Sequence, residues 1–240
     1  LSKIFEAMEQ VHRDRTSLRP PPVTELRVVT LPPMEFEVEM LALYRSLHHR
    51  LGDLDQKVIL FLGLEGGEGA STVVSSLARV AAERLERKVA VLDTDILSPP
   101  QYQQFGINVS IGWDDVLKNS ARLEQAIYPT TLNGLSVVPV SAAKARTQVI
   151  DARGMSDLLI ALRERFDLVV VDCAPPSVLP DSITLSRESD GVVLVIAADR
   201  TPLAAADSIH RKIASVGGNV TGVVFNKRRH YIPRLIYKLL

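Results

Sequence analysis

The chain has 240 residues, 46% of them hydrophobic, 23% charged and 5% aromatic, a balance that excludes a largely disordered polypeptide. Lysine plus arginine and aspartate plus glutamate each number 28, so net charge offers no global attraction to nucleic acid or to an anionic membrane. No apolar run reaches the roughly 18 residues of a spanning helix, residues 1–20 lack the core of a secretion signal, and the single Cys173 excludes a disulfide framework within one chain; a cytoplasmic protein is expected.

At the start of the chain, Leu1, Ile4, Phe5, Met8 and Val11 recur at helical spacing. Residues 1–19 are read as an amphipathic docking helix, the alternative being a helix packed on its own domain. Pro20-Pro21-Pro22 and Pro32-Pro33 then lack backbone donors and mark residues 20–36 as a linker. Residues 37–229 carry the main domain. It opens with a helix over Glu37 to Leu51 that groups Leu41, Tyr44, Leu47 and Leu51.

Six β-branched apolar runs follow: Lys57 to Gly63, Lys88 to Asp93, Leu135 to Val140, Asp167 to Asp172, Gly191 to Ala197 and Val220 to Phe225. Helical segments are expected over Ala70 to Arg87, Asp151 to Arg165, Asp181 to Glu188 and Pro202 to Val216. The alternation predicts an α/β fold, a doubly wound, mostly parallel sheet flanked by helices. Runs such as Val169-Val170-Val171 are apolar at every position, as strands covered on both faces must be. In such sheets ligands bind at the carboxyl ends of the strands.

The segment from Gly63 to Thr72 leaves a strand and opens an alanine-rich helix, the context of a phosphate-binding loop. Gly67, Glu68, Gly69, Ala70, Ser71 and Thr72 are the candidate nucleotide-binding residues, and Ser71 supplies a hydroxyl for magnesium. A lysine ordinarily precedes that hydroxyl and bridges the outer phosphates; here the position is Ala70. Glu65 and Glu68 add two carboxylates, each opposing a phosphate charge by roughly 3 kcal/mol at about 5 Å and an effective dielectric near 20. Two strands end in acids. Asp93 and Asp95 stand two apart, on one side if the strand continues, and Asp172 precedes a chain-breaking Pro175-Pro176. Ser71, Asp95 and Asp172 form the candidate metal set, while Asp93 and Asp95 would be the catalytic acids of an active enzyme. Cys173 is read as a small buried residue rather than a nucleophile.

Together these motifs resemble the cytoplasmic domain of the bacterial tyrosine kinases of capsule and exopolysaccharide synthesis (BY-kinases), relatives of the MinD and ParA division-site and partition ATPases. The resemblance implies a P-loop NTPase-like fold. Residues 1–10 are similar to the amino terminus of free-standing members, with Leu1 where those have methionine. Gly67-Glu68-Gly69-Ala70-Ser71-Thr72 matches the family loop except at Ala70. Asn226, after Gly222-Val223-Val224-Phe225, resembles the asparagine that contacts adenine in the related ATPases. Four departures accompany the match. Besides Ala70, Leu97 replaces an arginine. The assembly helix keeps Arg45 but shows Ala42 and His48 at the other two positions, and only Tyr231 and Tyr237 are left as acceptors in the tail.

The resemblance implies a pseudo-kinase, peripheral at the inner membrane, that docks on a polysaccharide chain-length or export protein. A homo-oligomer is compatible with Arg45, ATP or ADP with Mg2+ would be bound weakly or not at all, and nucleic acid is not a favoured partner. An active ATPase or autokinase with a substituted cation, and a MinD/ParA-like positioning ATPase, are the alternatives. The tail, residues 230–240 after Lys227-Arg228-Arg229, combines basic and apolar groups, suited either to an anionic bilayer or to packing on the domain.

Overall fold

A computed structural model describes residues 36–95, 101–141, 152–198 and 200–227. The expected docking helix, the linker up to residue 35, Leu97, and the tail with Tyr231 and Tyr237 lie outside the described residues. In chain order the elements are α1 (Glu37–Leu51), β1 (Lys57–Gly63), α2 (Ala70–Leu85), β2 (Val89–Asp93), α3 (Gln101–Gln104), α4 (Trp113–Leu117) and α5 (Leu123–Ala126). They continue as β3 (Tyr128–Pro129), β4 (Leu135–Val138), α6 (Ala152–Arg163), β5 (Leu168–Cys173), α7 (Asp181–Leu185), a 3-10 turn (Ser186–Glu188), β6 (Gly191–Ala197), α8 (Leu203–Ser215) and β7 (Val220–Asn226).

The strands form one sheet in the order β3-β4-β2-β5-β1-β6-β7. All neighbours are parallel except β3 and β4. β1 is an interior strand between β5 and β6, and its side chains alternate between two cores. Val58, Leu60 and Leu62 pack with Val169, Val171, Leu194 and the buried residues Met155, Leu158 and Leu162 of α6. Ile59 and Phe61 pack on the other face with Val74, Leu77 and Ala81 of α2 and Met40, Tyr44 and Leu47 of α1. Helices therefore cover both faces, which explains why the central strands have no polar alternation. On α1 the buried set is Met40, Tyr44 and Leu47, while Leu41 and Leu51 are half-buried. The Arg84–Glu37 ion pair, at 2.6 Å, adds a surface tie between α2 and α1.

Several boundaries differ from the sequence expectation for local reasons. α2 stops at Leu85 rather than Arg87, because Glu86 turns left-handed at φ 52° and donates its N–H back to Ala81 O. The run expected to reach Val140 ends at Val138, where its pairing with Leu92 of β2 finishes and Pro139 has no N–H for a ladder. The helix expected over Asp181 to Glu188 divides into α7 and the 3-10 turn. The short helices α3, α4 and α5, and the two-residue strand β3, were not expected, since elements this short leave no periodicity to detect.

Candidate functional site: an anion cradle with buried acids

The end of β1, the start of α2 and the ends of β2 and β5 meet at the carboxyl edge of the sheet. Gly63, Glu65, Gly66, Gly67, Glu68, Gly69, Ala70 and Ser71 line a cavity of about 410 Å³ together with Asp95, Cys173, Pro175 and Val178. The loop needs glycine. Gly67 and Gly69 have φ of +81° and +89°, and a Cβ at Gly69 would lie 2.4 Å from Asn226 Nδ2. Gly69 caps α2, so the free amides of the first helical turn face the cavity edge, the arrangement that receives an anion.

Glu68 does not present its carboxylate to a ligand in the manner its sequence position suggests. Its Oε2 accepts the backbone N–H groups of Leu64 and of Glu65, the latter at 3.0 Å, and its Oε1 accepts the Thr201 hydroxyl at 2.5 Å. Glu68 is buried and tightens the loop from behind, while Glu65 is exposed. Asn226, at the end of β7, donates from Nδ2 to Glu68 O at 2.8 Å and accepts the Lys227 N–H on Oδ1 at 2.8 Å. Lys227 Nζ donates to Gly67 O. Both residues thus brace the loop from the β7 side, and neither lines the cavity.

The acids occupy different places. β2 ends at Asp93, so the continuing strand on which the same-side expectation for Asp93 and Asp95 rests is not present. Asp93 is fully buried outside the cavity lining, where it accepts the backbone N–H of Asp95 on Oδ1 (3.2 Å) and of Gln101 on Oδ2 (3.1 Å). Asp95 lines the cavity. Asp93 and Asp172 are register partners across β2 and β5, which sets two buried carboxyls on one side of the sheet. Burial, then the charge of Asp172, pushes Asp93 well above the carboxylate range, against the two backbone N–H donors. Burial pushes Asp172 up to about 6, with hydrogen bonds from Gln101 and Ser71 opposing and the Asp95 charge reinforcing the shift. Burial likewise pushes the Cys173 thiol up to about 12, which leaves it a protonated packing residue as expected.

Three residues that gave no readable sequence signal hold this edge together. Gln101 Nε2 donates to Asp172 Oδ2 at 2.7 Å and to Ser71 O at 3.0 Å. Trp113 Nε1 donates to Asp93 O at 2.8 Å. Thr94 donates from both its N–H and its hydroxyl to Asp172 O, each at 2.9 Å. Arg45 is exposed on α1, remote in sequence and element from the cradle.

The cradle suits the phosphates of a nucleotide: it is concave, glycine-lined and set at a helix amino terminus. Of the residues expected to hold a divalent cation, Ser71 and Asp95 line the cavity, while Asp172 lies behind the lining and its Oδ2 already accepts the Gln101 amide at 2.7 Å.

A parallel sheet with a glycine loop between β1 and α2 and acids ending β2 and β5 defines a P-loop NTPase-type domain. A family model described as ParA, an NUBPL iron-transfer P-loop NTPase, matches residues 55–235. The chain belongs to that family. Relatives by sequence include the tyrosine-protein kinase ptk of Acinetobacter johnsonii, 25% identical over 195 residues that cover 80% of this chain and 26% of the kinase. The tyrosine-protein kinase CpsD of Streptococcus pneumoniae is 27% identical over 173 residues, 71% of this chain and 76% of CpsD. The chain therefore spans about a quarter of the first relative and most of the second. By structure, the kinase domain of the Escherichia coli tyrosine kinase ETK matches with a TM-score of 0.75 at 21% identity, over 88% of each chain, a likeness of fold. Among the described residues no helix is long and apolar enough to cross a membrane.

Proposed function

We propose that this chain is a kinase-derived P-loop protein that binds a nucleoside phosphate and does not transfer it. It acts as a regulatory pseudo-kinase in exopolysaccharide or capsule synthesis, docking on a chain-length or export protein at the inner membrane. The observation that carries the reading is the cavity itself: Ala70 stands where the phosphate-bridging ammonium is needed, and no lysine or arginine among the described residues lines the space. The relatives named tyrosine-protein kinases support a kinase descent, the motif resemblance to the capsule and exopolysaccharide kinases supplies the polysaccharide context, Arg45 is exposed on α1 for assembly, and residues 230–240 offer Tyr231 and Tyr237 as acceptors. Labelled ATP tests it. The purified chain is expected to incorporate no phosphate on tyrosine, and turnover is expected to rise on Ala70→Lys; brisk autophosphorylation of the unaltered chain, abolished by Asp172→Asn, overturns the reading.

A second reading, an active ATPase with a substituted cation, draws on Lys227, whose ammonium reaches the loop at Gly67 O. That contact comes from the β7 side, outside the cavity lining, so the first reading is preferred.

A further inference from the structure

Gln101 is the first residue of α3 and is fully buried at the cavity edge. Its backbone N–H holds Asp93 Oδ2, and its side-chain Nε2 bridges Asp172 Oδ2 and Ser71 O, at 2.7 and 3.0 Å. Both partners of Nε2 are acceptors only, a carboxylate oxygen and a carbonyl, so the amide is oriented with its N–H groups toward them; reversing it would set oxygen against oxygen. The other end of the amide, Oε1, is buried with no donor. A buried acceptor left unsatisfied costs about 1–3 kcal/mol, so the bridge is held against a penalty.

The position of this bridge matters for what the cradle accepts. Ser71 and Asp172 are the two groups that a nucleotide-bound cation or its water shell would engage on this side of the loop. The amide N–H is the positive end of a dipole, and it occupies one of the two Asp172 carboxylate oxygens, Oδ2. A cation, or a water of its shell, approaching Asp172 Oδ2 must therefore displace a donor that is already engaged twice, and displacement leaves Ser71 O without that partner.

We infer that Gln101 takes the cation's place at Asp172, so that the cradle binds nucleoside di- or triphosphate free of divalent metal. The inference rests on the nucleotide-binding reading given above. It makes Gln101 a specificity-determining residue: it selects the metal-free form of the ligand, with the helix amino terminus and loop amides meeting the phosphates.

The test is calorimetric titration of the full chain with ADP and with ATP, once in excess magnesium and once in EDTA, repeated on Gln101→Leu and Gln101→Ala after circular dichroism has shown each variant to be folded. For the unaltered chain, Kd is expected to agree between the two conditions within about twofold. Freeing Asp172 should let magnesium tighten binding by about tenfold or more in the variants, the size of effect usual for a ligand's neighbouring partner. Manganese binding followed by electron paramagnetic resonance should rise in the same variants. An unaltered chain that binds about tenfold tighter with magnesium overturns the inference while leaving the nucleotide reading intact, and so do folded variants that gain no metal dependence. Absence of binding in both conditions removes the nucleotide reading and the inference with it. If neither variant folds, the comparison of magnesium with EDTA in the unaltered chain decides alone.

Discussion

Replacing Asp172 with asparagine should stabilise the protein at neutral and alkaline pH. Asp172 is 1% exposed, and burial holds its carboxyl at about 6 against an ordinary value of 3.8. Above pH 6 the folded chain therefore carries a buried charge that the unfolded chain solvates. At about 1.4 kcal/mol for each unit, this difference destabilises the fold by roughly 3 kcal/mol. Asparagine keeps an oxygen for the Gln101 amide but forfeits the charge-assisted part of the bonds from Gln101 and Ser71, about 1 kcal/mol. A net gain of about 2 kcal/mol corresponds to roughly 4–8 °C in Tm for a chain of this size. The pH dependence follows from the direction of the shift. The folded state takes up the proton first, so this contribution is fully present below the unfolded value of 3.8 and is lost as pH rises through 6. Asp93 shifts in the same direction and steepens the loss. Melts of the unaltered chain and Asp172→Asn, followed by circular dichroism from pH 5 to 8, should show the variant's advantage growing with pH. A variant that melts below the unaltered chain at pH 8, or an advantage that does not change with pH, would refute the assignment of the burial cost to Asp172.

Truncating Glu68 to alanine removes the acceptor of two loop amides and of the Thr201 hydroxyl, and should cost about 2–4 kcal/mol in urea denaturation; a loss below about 0.5 kcal/mol would mean that the carboxylate does not brace the loop. Gly69→Ala combines a φ of +89° with a Cβ 2.4 Å from Asn226 Nδ2, so a loss of about 2–3 kcal/mol is expected, and adding Asn226→Ala should recover the steric part but not the backbone part. Trp113→Phe keeps the packing of a fully buried ring but drops the donor to Asp93 O, which should cost about 1–3 kcal/mol and is checked by thermal melting.

The sheet was legible because its central strands, β1, β5 and β6, are covered on both faces and so contain almost nothing but apolar residues. The loop was legible because glycine at 67 and 69 and a hydroxyl at 71 sit at a strand-to-helix junction, where local order fixes their meaning. The role of Glu68 is not legible in the sequence for a physical reason: a carboxylate in an anion loop counts as repulsive until its own hydrogen bonds are known, and those bonds run to Leu64, Glu65 and a distant Thr201. Gln101 and Trp113 carried no signal, since their partners at Asp172, Ser71 and Asp93 are brought near only by the parallel crossovers. The same-side expectation for Asp93 and Asp95 rests on a strand that continues; β2 ends at Asp93, and the N–H groups of Asp95 and Gln101 turn onto the Asp93 carboxylate.

On the proposed nucleotide-binding reading, position 70 is the largest single lever on affinity. A phosphate in the cavity would meet backbone amides and the amino terminus of α2, which contributes about 0.3–1 kcal/mol and up to about 2 where partly buried. Against this stands Glu65, opposing by roughly 3 kcal/mol at about 5 Å before its exposure to solvent screens it, while Glu68 has its charge engaged by two amides and a hydroxyl. The opposing contributions nearly cancel, so affinity is decided by whichever further charge enters the cradle. An ammonium placed from position 70 at similar range contributes a favourable amount of the same order, about 3 kcal/mol or roughly a hundredfold in Kd. Removing the Glu65 charge, by contrast, relieves only the screened remainder, because that side chain is open to water. Ala70→Lys should therefore tighten ADP binding far more than Glu65→Gln, and titration of both variants that finds the glutamine change equal or larger would place the controlling charge at Glu65.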